Sequence, residues 1–266
     1  MKQYTKNGIP YLKFETFPDS KRVQHAVFTR KGGISPPPYD SLNLSVSVSD
    51  DESNVFANRV SAYGTHGRNN DTLVHAHLKH SVMVAEVSRR NYGQYVGPAD
   101  GLITRERGCG LTMNYADCSP ILLYDPKCRA IGLGHAGWKG AALDLPRSLV
   151  LAMKSAYGSK PESLLAAIGP SIGPCCYQIG EDVISAIRFN FEDPDQLLLP
   201  DGESDSDETR CRFDLPEANR QRLVEVGVRK IEMSEYCTSC QSDLFFSHRR
   251  DHGQTGRFGV ILLLGS

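Results

Sequence analysis

Eight short runs rich in Val, Ile and Leu recur along the chain, and Gly, Pro or Asp bounds most of them. Runs of this length and composition predict buried β-strands. They are residues 24–29, 73–77, 82–87, 111–114, 120–124, 130–135, 164–168 and 257–264. A chain with this many apolar strands must pair them into sheets and cover the faces of those sheets.

Helical patterns are fewer than strand patterns. They cover residues 51–62, 140–157, 182–189 and 218–226, and Pro146 must start or kink the second of them. The clearest helix start is Asp214, an N-cap acid followed three residues later by Glu217. Helices and strands alternate without a regular βαβ rhythm, so we predict an α+β fold in which helices flank mixed sheets, as α/β/β/α layers.

The whole chain, residues 1–266, is expected to form a single domain, because no long linker or internal repeat divides it. Residues 201–208 hold five acids and no apolar side chain, and we expect them to be a solvated surface excursion. The formal net charge of -1 gives no indication of nucleic acid or an anionic membrane as partner.

No apolar stretch is long enough to span a membrane, and the first residues lack the apolar core of a signal peptide. We therefore expect a cytoplasmic protein. Thiols stay reduced in that compartment, so the eight cysteines are interpreted as buried side chains, metal ligands or nucleophiles before disulfides.

Two motifs carry most of the chemical information. Residues 116–120 (ADCSP) and 134–140 (GHAGWKG) lie at the ends of predicted strands joined by a turn, so Cys118 and His135 can approach each other. His80 lies in a turn between two other strand patterns. Two imidazoles and one thiolate suit Zn²⁺ and leave a fourth position for water or substrate. A buried thiol without a metal remains an alternative for Cys118.

The motifs resemble a family known as laccase-domain or multicopper polyphenol oxidases, whose members are also described as zinc-dependent purine nucleoside phosphorylases with adenosine deaminase activity. The resemblance covers nearly the whole chain. The matching segments are residues 29–35 (TRKGGIS), 41–44 (SLNL), Asp50, Asn58 with Arg59, 99–104 (ADGLIT), the ADC and GHAGW motifs, 168–177 (IGPSIGPCCY), Cys237, 245–251 (FFSHRRD) and 255–257 (TGR).

This resemblance implies that His80, Cys118 and His135 are both metal ligands and catalytic residues, with one zinc per chain. Copper binding would then be adventitious. The chain departs from the usual family pattern at Leu78-Lys79, where a Gln commonly stands two places before the histidine, and at Lys139, where Arg is commoner. Neither departure removes a ligand.

Arginine binds phosphate well because its planar guanidinium donates two parallel hydrogen bonds. Arg30, Arg249, Arg250 and Arg257 all lie in family motifs, so we predict that two of the four bind substrate, with Arg30 the first choice because glycines follow it. Asn43 either binds ribose or base, or caps a turn.

Two further residues flank these motifs. Asp117 either orients a ligand histidine from behind or fixes the backbone. Trp138 is expected to anchor the following helix.

The remaining cysteines are interpreted as structural. Cys237 and Cys240 form a CxxC pair without a second such pair, and Cys175 and Cys176 are adjacent, which is poor geometry for chelating one metal.

The resemblance implies phosphorolysis of adenosine, inosine, guanosine and methylthioadenosine, and deamination of adenosine, by a monomer or weak homodimer. One alternative is a Cys118–His135 hydrolase or amidase that acts on a cytoplasmic muropeptide precursor. Another is a copper-dependent polyphenol oxidase with Met113 as axial ligand. It is less well supported, because only six histidines remain for a trinuclear copper cluster and they are scattered.

Overall fold

The computed structural model describes residues 1–18, 21–201 and 211–265, and these contain sixteen strands and five α-helices. The strands are β1 (Lys2–Lys6), β2 (Ile9–Lys13), β3 (Val23–Phe28), β4 (Val74–Ala76), β5 (Val84–Glu86), β6 (Tyr95–Val96), β7 (Gly101–Thr104), β8 (Gly110–Tyr115), β9 (Ser119–Asp125), β10 (Ala130–Ala136), β11 (Leu165–Ile168), β12 (Gln178–Ile179), β13 (Leu198–Pro200), β14 (Cys211–Phe213), β15 (Lys230–Met233) and β16 (Phe258–Leu264). The helices are α1 (Glu52–Gly64), α2 (Trp138–Ala142), α3 (Leu145–Tyr157), α4 (Glu181–Asn190) and α5 (Leu215–Glu225). Apart from Asp201, the predicted acidic excursion at 201–208 lies outside the described residues.

Two mixed sheets hold thirteen of these strands. The seven-stranded sheet has the order β1-β2-β3-β16-β8-β4-β6, and the six-stranded sheet has the order β15-β11-β9-β10-β7-β5. Most neighbours in both sheets are antiparallel, and parallel pairs occur toward the edges, at β8-β4-β6, β11-β15 and β5-β7. A small antiparallel sheet, β12-β14-β13, lies apart from them.

The main core lies between the two large sheets, because one set of alternating side chains from each sheet packs into it, including Leu122 of β9 and Val260 of β16. The other set faces outward and is covered by helices. Leu149 and Met153 of α3 pack against Ile121, and Tyr63 of α1 packs in the cluster that contains Ile261 and Leu263. Alternate residues of one strand point to opposite faces of its sheet. Here one face packs against the other sheet and the opposite face packs against helices, so side chains on both faces are buried. The predicted α/β/β/α layering is confirmed.

All eight predicted strands are present, and one predicted helix is divided. Residues 138–157 form α2 and α3, since the chain turns at Asp144, whose φ of 66° is left-handed. Its side chain accepts from the Arg147 N–H at 3.1 Å, and Pro146 lies in the first turn of α3. The predicted cap at Asp214 is also present, at 3.0 Å from the Glu217 N–H. Each helix in the described residues is too short or too polar to cross a lipid bilayer.

Candidate metal centre

Cys118 and His135 are brought together by the antiparallel pairing of β9 and β10. In this pairing His135 lies opposite Pro120 and Ala136 lies opposite Ser119. The C-terminal end of β10 therefore lies beside Cys118, the residue that precedes β9. The tight connection between Asp125 and Ala130 keeps the two strands in register. Cys118 and His135 are 17 positions apart in the sequence, and this hairpin brings them together.

His80 reaches the same point from the connection between β4 and β5. Its φ of 56° is left-handed, which turns the chain sharply there. The ligand atoms of His80, Cys118 and His135 all lie within 4.8 Å of one another. His135 is buried, Cys118 is half-buried and His80 is exposed, so the group has one open side.

Asp100 holds two of these residues in place. Its carboxylate accepts hydrogen bonds from the backbone N–H groups of Lys79, His80 and Ser81 at 3.1, 3.0 and 2.7 Å. The same carboxylate lies 3.1 Å from Nδ1 of His135. With Nδ1 engaged in this way, Nε2 of His135 is the nitrogen available to a metal. Sequence reasoning assigned no role to Asp100, although it lies inside the matching segment 99–104.

Gly137 provides the space in which the sulfur lies. A Cβ atom at this position would lie 2.8 Å from Sγ of Cys118 and 3.6 Å from Cδ2 of His80. Since the first distance is shorter than real side chains tolerate, only glycine allows the chain to pass this close to the ligand group. The backbone of Gly137 is extended, with φ of -81°, so the constraint is the contact with Cys118 rather than the conformation.

Electrostatics favour the thiolate form of Cys118. Burial opposes its ionisation, but the positive charge of His135 and hydrogen bonds from His135 and His80 lower the pKa of Cys118 to about 6. Burial likewise opposes a charged imidazole, yet the charge of Cys118 and the hydrogen bond to Asp100 raise the pKa of His135 to about 9. A thiolate is the form of cysteine that binds metals, so the site favours the ligand form of its sulfur.

A cavity of about 550 Å³ opens beside the three residues. Its volume lies within the range that small-molecule sites usually have. Aromatic and apolar side chains form much of its wall, among them Tyr95, Trp138, Ile172 and Tyr177. Trp138 both begins α2, as predicted, and lines the cavity.

Two of the four predicted arginines, Arg249 and Arg257, line this cavity. Arg249 donates to the carbonyl of Gln178 and lies over the ring of Tyr177, 5.0 Å from its centroid. Arg257 is half-buried, and its NH1 donates to the carbonyls of Thr255 and Gly256 at 2.9 Å. In the described part of the chain no acceptor contacts its Nε or NH2, so two guanidinium donor groups remain for a ligand.

Arg30, Arg250 and Asn43 do not line this cavity, and their role in substrate binding stays a prediction. Arg30 binds the carbonyls of Asp40 and Ser242 and the carboxylate of Asp40. Arg250 binds Asp251 and three backbone carbonyls. These contacts engage both guanidinium groups within the protein, whereas Arg249 and Arg257 line the cavity, in line with the expectation that two of the four arginines bind substrate.

Asn43 is completely buried. Its side chain binds Ser45 and Asp50, and its side-chain oxygen Oδ1 also accepts from the backbone N–H of Arg257 at 2.9 Å. The turn-capping alternative for Asn43 agrees with these contacts. Asn43 also fixes the backbone of Arg257, so it affects the cavity through that residue.

Asp117 does not orient a histidine. It accepts from Oγ1 of Thr238 and from the backbone N–H of Arg249, both at 2.7 Å. Of the two alternatives for this residue, backbone fixation agrees with the structure, because its φ of 85° turns its side chain toward the segment that carries Arg249. Asp100 has the orienting position instead.

Comparison with known proteins gives a consistent result. Residues 24–265 match the model of the family described as multi-copper polyphenol oxidoreductase laccase. The chain is 36% identical over 238 residues to the purine nucleoside phosphorylase YlmD of Geobacillus stearothermophilus, covering 86% of this chain and 85% of that protein. It is 32% identical over 252 residues to the protein of the same name from Bacillus subtilis, covering 91% and 89%.

Solved structures agree with the sequence matches. The crystal structure of YlmD from Geobacillus stearothermophilus has a TM-score of 0.88 and 31% identity, covering 99% of this chain and 98% of that one. The crystal structure of the Bacillus licheniformis hypothetical protein YfiH has a TM-score of 0.89 and 34% identity, covering 97% of each chain. The chain therefore belongs to the multi-copper polyphenol oxidoreductase laccase family, which includes relatives named purine nucleoside phosphorylase.

Proposed function

We propose that this protein is a zinc-dependent purine nucleoside phosphorylase, which converts a purine nucleoside and phosphate into the free base and ribose 1-phosphate. The observation that carries the proposal is that a candidate metal site and two arginines line the same cavity. His80, Cys118 and His135 lie on one part of its wall, and Arg249 and Arg257 lie on another. The relatives named purine nucleoside phosphorylase support the same reaction class.

The three residues fit a zinc ion. Their donor set is two imidazoles and one thiolate, the sulfur has a lowered pKa, and Asp100 orients one imidazole from behind. When bound, zinc supplies Lewis-acid stabilisation of negative charge on a substrate atom. The open side toward His80 leaves room for that atom.

The arginines and the aromatic residues have separate roles in the proposal. The free donors of Arg257, together with Arg249, bind phosphate and hold it near C1′ of the ribose. Trp138 and Tyr177 contact the purine. A phosphate oxygen then forms a bond to C1′ as the bond from C1′ to the purine nitrogen breaks. The purine leaves with the electron pair and takes up a proton.

Adenosine deamination is a second reaction that we propose for the same cavity. Water adds to C6 of the purine and ammonia leaves, which gives inosine. The CysHis₂ ligand set supports this reaction, because zinc ligands of these types activate water in other deaminases. Adenosine, inosine, guanosine and methylthioadenosine are the proposed substrates for phosphorolysis.

Adenosine turnover with and without phosphate tests both reactions, with products separated by chromatography and zinc content measured on the same protein. We expect adenine and ribose 1-phosphate only when phosphate is present, and inosine in either case. His80→Ala should lose both activities together with its zinc. His252→Ala is the matched control, because His252 is exposed and does not line the cavity. No product from any purine nucleoside, with zinc bound, would contradict the proposal.

A hydrolase is the second candidate function, and one contact favours it. Asp100 lies 3.1 Å from Nδ1 of His135, and the ligand atoms of His135 and Cys118 lie within 4.8 Å of each other, an order that resembles an orienting acid, a base and a nucleophile. A thiolate bound to zinc is a poor nucleophile, so metal content separates the two candidates. Amide hydrolysis of a muropeptide precursor by zinc-free protein would favour the hydrolase.

The copper oxidase alternative has less support from the site. Met113 does line the cavity, but no group of metal-binding side chains in residues 1–18, 21–201 and 211–265 contains more than two histidines.

We also propose a cytoplasmic location, because the cysteines are unpaired. A monomer or weak homodimer is the proposed state, and sedimentation at several concentrations measures it.

A further inference from the structure

Four cysteines that the proposed reaction does not use converge on one point of the surface. Cys175 and Cys176 come from the segment after β11, and Cys237 and Cys240 come from the segment after β15. The four sulfur atoms all lie within 4.8 Å of one another. Sγ of Cys240 lies 3.5 Å from that of Cys175 and 3.4 Å from that of Cys176.

The local backbone explains why two adjacent cysteines can serve one site. The N–H groups of Cys176 and Tyr177 both donate to the carbonyl of Gly173 at 3.0 Å, so residues 173–177 form a tight turn. Adjacent side chains point to opposite faces only in an extended strand. Adjacent cysteines were expected to have poor geometry for one metal, but in this turn the sulfur atoms of Cys175 and Cys176 come to the same point.

Main-chain contacts hold the two segments together independently of the sulfurs. Ser171 and Cys237 form a parallel bridge, and the Thr238 N–H donates to the carbonyl of Ser171 at 3.0 Å. The Gly173 N–H donates to Sγ of Cys237 at 3.3 Å. A backbone donor to sulfur stabilises the thiolate form and is common around metal-binding cysteines.

We propose that Cys175, Cys176, Cys237 and Cys240 form a second metal site, a tetrathiolate site for a zinc-class ion that is separate from the His80, Cys118 and His135 site. In tetrahedral zinc with Zn–S bonds of about 2.3 Å, sulfur atoms lie about 3.8 Å apart. Two of the separations here are 3.4 and 3.5 Å and every pair lies within 4.8 Å, so the separations lie in a range that includes that value. Four thiolates this close would repel one another without a cation between them, and thiolates select soft metals.

The surroundings support this assignment. Arg212 donates to the carbonyl of Cys175 at 3.2 Å and pairs with the carboxylate of Asp201 at 2.6 Å. The Arg212 side chain therefore fixes the backbone of one of the four cysteines.

The metal would join a segment of the cavity wall to a segment that contacts the wall residue Asp117. The first segment carries Ile172 and Tyr177, which line the cavity. The second carries Thr238, which donates to Asp117, the neighbour of Cys118. A closed tetrathiolate site has no open ligand position, so its role is structural.

The first experiment measures zinc per chain in protein purified under reducing conditions. We expect two zinc ions per chain, and one in the double variant His80→Ala/Cys118→Ser, which leaves the four cysteines intact. This variant retains the cluster whether or not the protein is a phosphorylase, so the result is independent of the proposed function. Zinc-free protein in this variant would overturn the proposal.

The second experiment replaces ligands of the cluster itself. Cys175→Ser/Cys240→Ser should lose one of the two zinc ions, and Cys128→Ser/Cys211→Ser should lose none, because neither Cys128 nor Cys211 belongs to the cluster. If the first variant fails to fold, cobalt substitution of His80→Ala/Cys118→Ser provides the same information. Strong thiolate-to-cobalt absorption is expected there. Its absence, or a Cys176–Cys240 disulfide found by mass spectrometry in the reduced protein, would overturn the assignment.

Discussion

Oδ1 of Asp100 accepts the His80 backbone N–H at 3.0 Å and lies 3.1 Å from Nδ1 of His135, so one oxygen atom connects two of the three candidate metal ligands. Asp100 is completely buried and immediately precedes β7. The turn that carries His80 and the strand that carries His135 thus share one support.

Asp100→Asn tests this support. The side-chain NH₂ group of asparagine would face N–H donors that now bind a carboxylate oxygen, and two donors repel each other. The orientation of His80 and His135 should suffer, so we expect a loss of zinc affinity of about 10- to 100-fold. We also expect a loss of about 2–4 kcal/mol in the free energy of unfolding. Competition with a chelator and chemical denaturation measure the two effects.

The control for this change is Asp117→Asn, since Asp117 contacts Thr238 and the Arg249 backbone rather than a histidine. It should change zinc affinity by much less than Asp100→Asn does. Equal losses of affinity in the two variants would contradict the role given to Asp100.

Gly137→Ala tests the close approach of the chain to the metal site. The new methyl group would meet Sγ of Cys118 at 2.8 Å, and we expect zinc affinity to fall at least tenfold as the sulfur is displaced. Gly140→Ala is a matched control, because a Cβ there meets its nearest neighbours at an ordinary 3.6 Å. If Gly137→Ala leaves zinc affinity unchanged, as Gly140→Ala should, the close contact between Gly137 and Cys118 is not needed for metal binding.

Arg257→Gln tests phosphate binding. The loss of charge-assisted hydrogen bonds, each worth about 1.5–3 kcal/mol, predicts a rise of about 10- to 100-fold in the KM for phosphate. Adenosine deamination, which uses no phosphate, should change little. Initial rates over a range of phosphate concentrations measure the effect. Arg188→Gln, an exposed change on α4, should leave both reactions intact. A phosphate KM that stays the same in Arg257→Gln would remove Arg257 from the phosphate site.

Stability should fall in acid because His25 is buried as a neutral imidazole. Burial lowers its pKa to about 3, and its Nε2 accepts the Phe14 N–H at 2.8 Å, which a protonated ring cannot do. The folded pKa lies below the unfolded value of about 6.5, so the unfolded chain binds the extra proton between these values. His25 should therefore contribute its full stability above pH 6.5 and lose about 3 kcal/mol of it by pH 4.

Urea denaturation at a series of pH values measures this loss. His25→Gln keeps an acceptor and removes the titration, so its stability should depend less on pH between 6.5 and 4. The same slope in both proteins would show that other groups cause the acid destabilisation. His75, also buried with a pKa lowered to about 3 by burial, should add a similar contribution.

The sequence predicted those parts of the fold that depend on local apolar patterns. All eight apolar runs are strands, and all but the partly exposed β5 are buried on both faces, which needs continuous Val, Ile and Leu. The hairpin of β1 and β2 was missed, since β1 is exposed throughout and has no apolar pattern. Asn7-Gly8 between them, both with positive φ, was an available hairpin signal.

The parts of the site that lie on one hairpin were predictable from the sequence. The parts that depend on contacts between segments far apart in the sequence were less predictable. Cys118 and His135 meet through neighbouring strands. Arg30 and Arg257 lie in equally distinctive motifs, yet only the fold determines which guanidinium faces the cavity and which binds carbonyls. The position of Asp100 behind His135 and the convergence of Cys176 with Cys240 also rest on contacts between distant segments.

The position of Asp100 beneath the ligand residues has a consequence for net charge. A divalent zinc ion, the Cys118 thiolate and the Asp100 carboxylate together sum to zero, so the occupied centre would be electrically neutral. A phosphate dianion entering the cavity would then find its matching charge at Arg249 and Arg257, one positive charge each. Selectivity for phosphate over a neutral nucleophile such as water would accordingly be set by the arginine side of the cavity and not by the metal.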